Sequence, residues 1–182
     1  IIEPYGAGNG FAQTLLRLVV PGVPDTYQGS ELWNQSLVDP DNRRPVDYDA
    51  RRRILSRIRA GLSDRLALSR ELLADYQTGA LKLYITHVVL SERKHRPDLF
   101  LRGDYEGLSA SDHVVAFTRM FANERLVCCV PRLSYSLIRG EQHFALGAAW
   151  RDTKLRVPYA GSYRNALTGA VLTGKGSFRL AE

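Results

Sequence analysis

An α+β fold follows from three stretches of this 182-residue chain. Between residues 49 and 96, apolar side chains return at helical spacing. Between 97 and 182, short β-forming runs alternate with turn residues. Ahead of both lies a run from Pro21 to Trp33 that reads as a buried strand opening into a polar loop, which continues to Asp47. The expected organisation is residues 1–48 with this strand and loop, a helical segment over 49–96, and an antiparallel β-sandwich domain over 97–182.

The N-terminal run Gly6-Ala7-Gly8-Asn9-Gly10 reads as a flexible turn. No Lys-Ser/Thr follows it, so it is not a phosphate cradle. A short helix is expected through Phe11, Leu15, Leu16 and Leu18, then a strand from Leu18 to Val23. Asp47 and Asp49 follow Pro45 and are N-cap candidates. Ile54, Leu55, Ile58 and Leu62 lie on one helical face, which Gly61 interrupts. Leu66, Leu68, Leu72, Leu73 and Tyr76 continue the pattern, and Gly79 suits a C-cap. Leu81, Tyr84, Ile85, Val88 and Val89 form another face, ending near Pro97. The runs His113 to Arg119 and Arg125 to Val130 are rich in β formers, with Asn123-Glu124 as a hairpin turn. Weaker strands are expected at Leu99–Arg102, Lys154–Val157, Gly161–Asn165, Ala170–Leu172 and Ser177–Leu180. Residues 132–150 lack a period and read as loop.

Composition sets the class. Hydrophobic residues make up 45% and charged residues 24%, which places the chain among globular proteins rather than disordered ones. No apolar run is long enough to span a membrane. The start, Ile1-Ile2-Glu3-Pro4, is not a signal peptide and lacks an initiator Met, as a fragment would. The formal charge of +6 comes mostly from arginine. Arg51, Arg52 and Arg53 spread over about 200° of a helix, so they form no single stripe for a polyanion and read as a solvated face. A nucleic-acid partner is not expected. Cys128 and Cys129 point to opposite faces of a strand and have no partner cysteines, so they read as thiols in a reducing, cytoplasmic compartment. His87, His95, His113 and His143 show no metal-ligand spacing with them, and no metal or cofactor is expected.

The polar loop carries the chemistry. Sugar sites need bidentate hydrogen-bonding side chains and flat apolar surfaces. Asp25, Gln28, Glu31, Asp39, Asp41, Asn42, Arg43 and Arg44 supply the first, and Tyr27 and Trp33 could supply the second. The same residue types are ordinary in a solvated loop, where Asp and Asn make local turns. A glycosidase carboxylate pair needs two acids about 5–10 Å apart, and Glu31, Asp39 and Asp41 qualify only by proximity in sequence. No Gly-x-Ser-x-Gly elbow is present, and no histidine neighbours either cysteine.

The run Pro21-Gly22-Val23-Pro24-Asp25-Thr26-Tyr27-Gln28-Gly29-Ser30-Glu31-Leu32-Trp33 resembles the eighth strand of alpha-amylase-type (β/α)8 barrels. With Ser36 through Asp47 it is similar to the maltooligosyl trehalose synthase family in particular. Asp75 to Lys82, Arg96 to Phe100, Gly103-Asp104-Tyr105, His113 to Phe117, Val130 to Leu133, Trp150 to Thr153 and Leu167-Thr168-Gly169 match that family in order. The resemblance implies the C-terminal end of an enzyme that moves the reducing-end α-1,4 bond of a maltooligosaccharide to an α,α-1,1 bond by retaining intramolecular transglucosylation. Its three carboxylates lie on strands four, five and seven. The chain is expected to begin after these, so none is assigned here and the isolated chain should be inactive. The strand-eight end of the pocket implies substrate contacts at Asp25, Tyr27, Gln28, Glu31, Asp39, Asn42 and Arg43. A strand at Leu18–Val23 without its barrel neighbours would have open edges, inviting a dimer. The competing readings are a non-catalytic α-glucan-binding module and a basic nucleic-acid-binding domain, the latter marked by steep salt dependence.

Overall fold

The computed structural model describes residues 2–36, 38, 43–138, 143–174 and 176–181. Helix α1 spans Glu3–Val19, with Pro4 in its first turn, where a missing N–H costs nothing. Ala7, Phe11, Thr14 and Leu18 are buried at a helical repeat. The glycine turn and the strand at Leu18–Val23 are therefore not formed. The propensity cost of Gly6, Gly8 and Gly10, about 1 kcal/mol each, yields to burial of that face. Pro21 then ends the helix: Val20, the residue before it, leaves the α region at φ −58° and ψ 155°. Residues 23–27 run without regular structure, and Val23 is 90% exposed.

The helical middle is as expected. Helix α2 (Tyr48–Gly61) is capped by the Asp47 carboxylate, which accepts from the Ala50 N–H at 2.8 Å. Asp49 instead sits in the first turn and pairs with Arg52 at 2.6 Å. Helix α3 (Arg65–Ala74) is capped in the same way by Asp64. Gly79, at φ +77°, separates a 3-10 turn (Tyr76–Thr78) from α4 (Ala80–His95), whose first half is almost wholly buried. Pro97 opens a short helix, α5 (Pro97–Leu101). The strand expected at Leu99–Arg102 is thereby replaced, because the helix buries both Leu99 and Phe100 in the core.

Strands β1 (Asp104–Leu108), β2 (Val114–Phe121) and β3 (Glu124–Pro131) form an antiparallel meander. The β2–β3 hairpin turns at Ala122-Asn123, one residue earlier than expected, and Glu124 already pairs with Phe121. Residues 132–150 are not plain loop. They contain α6 (Ser134–Ile138) and a 3-10 turn (Gly147–Trp150). The tail makes two ribbons, β4 (Lys154–Arg156) with β7 (Ser177–Arg179), and β5 (Gly161–Arg164) with β6 (Val171–Gly174).

The strands do not assemble into the expected sandwich. Side chains of the meander alternate between two clusters. Ala116, Val114, Val127 and Cys129 meet Leu155, Val157, Phe178 and Leu180 of the tail. Phe117, Cys128 and Val130 belong instead to the helical core around Leu18, Tyr84 and Val89. The tail covers one face of the meander, and α1 and α5 pack on the other. Cys128 and Cys129 thus face opposite ways. No helix among the described residues is long and apolar enough to cross a membrane.

Candidate substrate-binding loop

Three helices grip the segment from Asp25 to Trp33. Near the end of α1, the Arg17 guanidinium donates to the Asp25 carbonyl and, at 2.9 Å, to the Thr26 hydroxyl. In the first turn of α2, Arg51 donates to the Glu31 carboxylate at 2.9 Å, the Gly29 carbonyl at 2.8 Å and the Asp47 carbonyl at 3.0 Å. In the first turn of α4, Lys82 donates to the Leu32 carbonyl at 3.2 Å. Burial, then the nearby Arg17 charge, pulls the Lys82 pKa below the ordinary lysine range, and Glu31 offsets part of this.

Trp33 closes the segment against the core. Its indole N–H donates to the Tyr76 carbonyl at 2.8 Å, and its ring lies 5.1 Å from that of Phe11. A Cβ on Gly10 would stand 2.8 Å from the indole ring, and one on Gly79 would stand 2.8 Å from the Trp33 backbone nitrogen. Both glycines make room for this residue. Trp33 is a wedge between helices, not the sugar platform its type suggested.

The structure separates the expected contact residues into groups. Asp25, Tyr27 and Gln28 are exposed. The Gln28 side-chain oxygen accepts from the Tyr48 hydroxyl at 3.0 Å, which leaves its amide NH2 as the group to offer a ligand. Glu31 is different: its carboxylate is held by Arg51, and both side chains are largely buried, 24% and 17% exposed. Arg43 is exposed. Asp39, Asp41 and Asn42 lie outside the described residues, and with them the suggested carboxylate pairing with Glu31.

Arg17, Arg51 and Lys82 were not among the expected site residues. Arg51 was read as solvated, yet it ties Gly29 and Glu31 to Asp47. Its targets are mostly carbonyl oxygens, which every residue carries, so composition could not mark them. The remaining arginines of α2 are partly neutralised: Arg52 pairs with Asp49, and Arg57 with Glu71. An open depression of about 380 Å³ lies between the end of α4 and the β2–β3 hairpin. Its Arg96 is paired with Glu92 at 2.6 Å and Glu124 at 3.4 Å. Among the described residues, no three His, Cys, Asp or Glu side chains converge as metal ligands.

Asp25, Tyr27 and Gln28 place a carboxylate, a phenol and an amide on this carbonyl-anchored segment, groups that can hydrogen-bond hydroxyls. The chain superimposes on a crystal structure of maltooligosyl trehalose synthase with a TM-score of 0.68 and 26% identity, over 98% of this chain and 21% of that one. A hypothetical maltooligosyl trehalose synthase of Sulfolobus tokodaii has the same fold, with a TM-score of 0.62 and 24% identity, over 97% of this chain and 20% of that one. In sequence, the chain is 38% identical over 177 residues, 95% of its length, to provisionally named maltooligosyl trehalose synthases of two Mycobacterium tuberculosis strains, CDC 1551 / Oshkosh and ATCC 25618 / H37Rv. It spans 19% of the length of those relatives. No protein-family model matches. Over nearly its whole length, this chain is similar to the C-terminal part of maltooligosyl trehalose synthases.

Proposed function

We propose that this chain is the C-terminal part of an intramolecular transglucosylase that makes trehalose-terminated maltooligosaccharides. The α-1,4 bond at the reducing end is broken, and the same two glucose units are rejoined α,α-1,1. The reaction is an isomerisation, so no water is gained or lost. The observation that carries this reading is the 38% identity sustained over 95% of the chain.

In this reading the exposed group on the Asp25–Glu31 segment lines one side of the sugar pocket. The Asp25 carboxylate accepts from sugar hydroxyls, the Gln28 amide donates to one, and the Tyr27 ring lies along a pyranose face. Such packing also keeps out the water that would divert the glucosyl group to hydrolysis. The bond-breaking carboxylates come from an alpha-amylase-type barrel elsewhere in the enzyme. Two unpaired thiols suit a reducing, cytoplasmic setting.

The test uses maltopentaose. The longer enzyme carrying this segment should consume its reducing ends without releasing glucose, and the 182-residue chain alone should do nothing. Turnover by the pure chain, or hydrolysis alone by the longer enzyme, would refute the proposal. Retention of residues 97–182 in glucan-affinity electrophoresis would favour a binding module instead.

A further inference from the structure

We propose that Arg17, Arg51 and Lys82 are positioning residues that hold the Asp25–Leu32 segment by its backbone, and that Glu31 is part of this clamp rather than a sugar contact. This deepens, and rests on, the proposed transglucosylase reading.

The geometry is unusual in one respect. Three cations on three different helices each donate to a main-chain carbonyl of one short segment: Arg17 to Asp25, Arg51 to Gly29 and Lys82 to Leu32. Charge-assisted bonds to a carbonyl fix a backbone without consuming side chains. The carbonyl side of the segment therefore faces the helices, while Asp25, Tyr27 and Gln28 stay exposed. Arg51 does more than the other two. It also reaches the Asp47 carbonyl, so one guanidinium joins the two feet of the loop. The feet meet closely there. Gly29 sits at φ +89°, and a Cβ on it would come within 3.3 Å of the Val46 side chain.

Glu31 fits this arrangement as the counter-charge. Without it, a largely buried guanidinium would have only carbonyls as partners. With it, one oxygen of the largely buried carboxylate is engaged by the Arg51 Nε, which fixes the side chain against α2 as the partner of the guanidinium. A residue acting in this way changes substrate handling through Asp25, Tyr27 and Gln28. Its loss should raise KM and the fraction of hydrolysis more than it disturbs the fold.

The experiment is a double-mutant cycle on the longer enzyme with maltopentaose. Arg51→Ala should lower kcat/KM about tenfold and raise the hydrolysed fraction, and Arg51→Lys should recover part of both. Glu31→Ala should reproduce the Arg51→Ala effect, and the double variant should be no worse than either single one. Fully additive losses would make Glu31 a direct contact and overturn the proposal, as would wild-type kinetics in Arg51→Ala. A wild-type enzyme without transglucosylase activity would refute the proposed function instead. Even then the clamp is read in the 182-residue chain by hydrogen exchange at Ser30, whose amide donates to the Tyr27 carbonyl at 3.1 Å. Exchange there should quicken at least tenfold in Arg51→Ala, and an unchanged rate would overturn the clamp.

Discussion

The two adjacent thiols show how neighbouring residues can share an environment while facing apart. Cys128 lies in the helical core and Cys129 in the cluster beneath the tail ribbon. Burial pushes the Cys128 pKa up to about 12 and the Cys129 pKa up to about 11, from an ordinary 9.0. The sign of the effect on stability follows. Above pH 9 the unfolded chain gives up thiol protons that the folded chain keeps, so stability falls as pH rises through that range. By pH 10 the loss should be roughly 1–2 kcal/mol per thiol. Urea unfolding under reductant, from pH 7 to 10, should therefore show a steeper decline for the wild type than for Cys128→Ala/Cys129→Ala. Parallel declines would mean that the thiols are not buried as described. Lys82 acts in the opposite direction. Its pKa is lowered, so the cost of burying its charge eases as pH rises, which is why the comparison is made between variants rather than read from one curve.

Glycine placement decides much at the scale of elements. Gly79 turns the chain from the Tyr76–Thr78 turn into α4 at φ +77°, with the Trp33 backbone against its open side. Gly79→Ala adds left-handed strain of about 1–2 kcal/mol, and its Cβ would also collide with main chain. The strain alone lowers the melting temperature by about 2–8 °C, at about 2–4 °C per kcal/mol for a chain of this size. An unchanged melting temperature would show that the Trp33 wedge is not seated there. The same elements show what a sequence reveals. Helices α2 and α4 were legible because their apolar residues repeat at helical spacing, and β2 and β3 because their runs are dense in β formers. The first part of α1 was hidden by Gly6, Gly8 and Gly10, which argue locally for a turn, while Trp33, against which Gly10 has to be small, lies over twenty residues away. Strand β1 was hidden because Asp-Tyr-Glu-Gly-Leu at a sheet edge is almost wholly exposed and carries no alternation. The candidate loop was legible through its exposed Asp25, Tyr27 and Gln28. Its anchors were not, because their partners are main-chain oxygens.

Across the whole molecule, the tail is fastened to the helices at one turn. Residues 165–169 lie against α3 and α4, where Arg65 donates to the Ala166 carbonyl, Tyr84 donates to the Leu167 carbonyl, and the Ser69 hydroxyl is shared between the Leu167 carbonyl at 2.9 Å and the Arg65 carbonyl at 2.7 Å. Tyr84 is 0% exposed, so its hydroxyl has no solvent alternative. Tyr84→Phe alone should cost about 1 kcal/mol, because Ser69 still satisfies that carbonyl. Tyr84→Phe/Ser69→Ala should cost more than the sum of the single changes, since the carbonyl then loses both of its side-chain donors. Chemical denaturation of the four proteins checks this, and strict additivity would contradict the shared acceptor. Arg119 fastens a second join: it is 2% exposed and donates to the Phe100 and Gly103 carbonyls at the end of α5, both at 2.8 Å. The tail fastening has a temporal consequence. The groups joined there are separated by 83 to 101 residues along the chain. A ribosome adds about 5–20 residues per second, so the helical segment emerges roughly 5–20 s before the turn that seals it. During that interval the groove between α3 and α4 is an unfinished surface within reach of chaperones, and closure of this part of the protein waits until the turn at residues 165–169 has emerged.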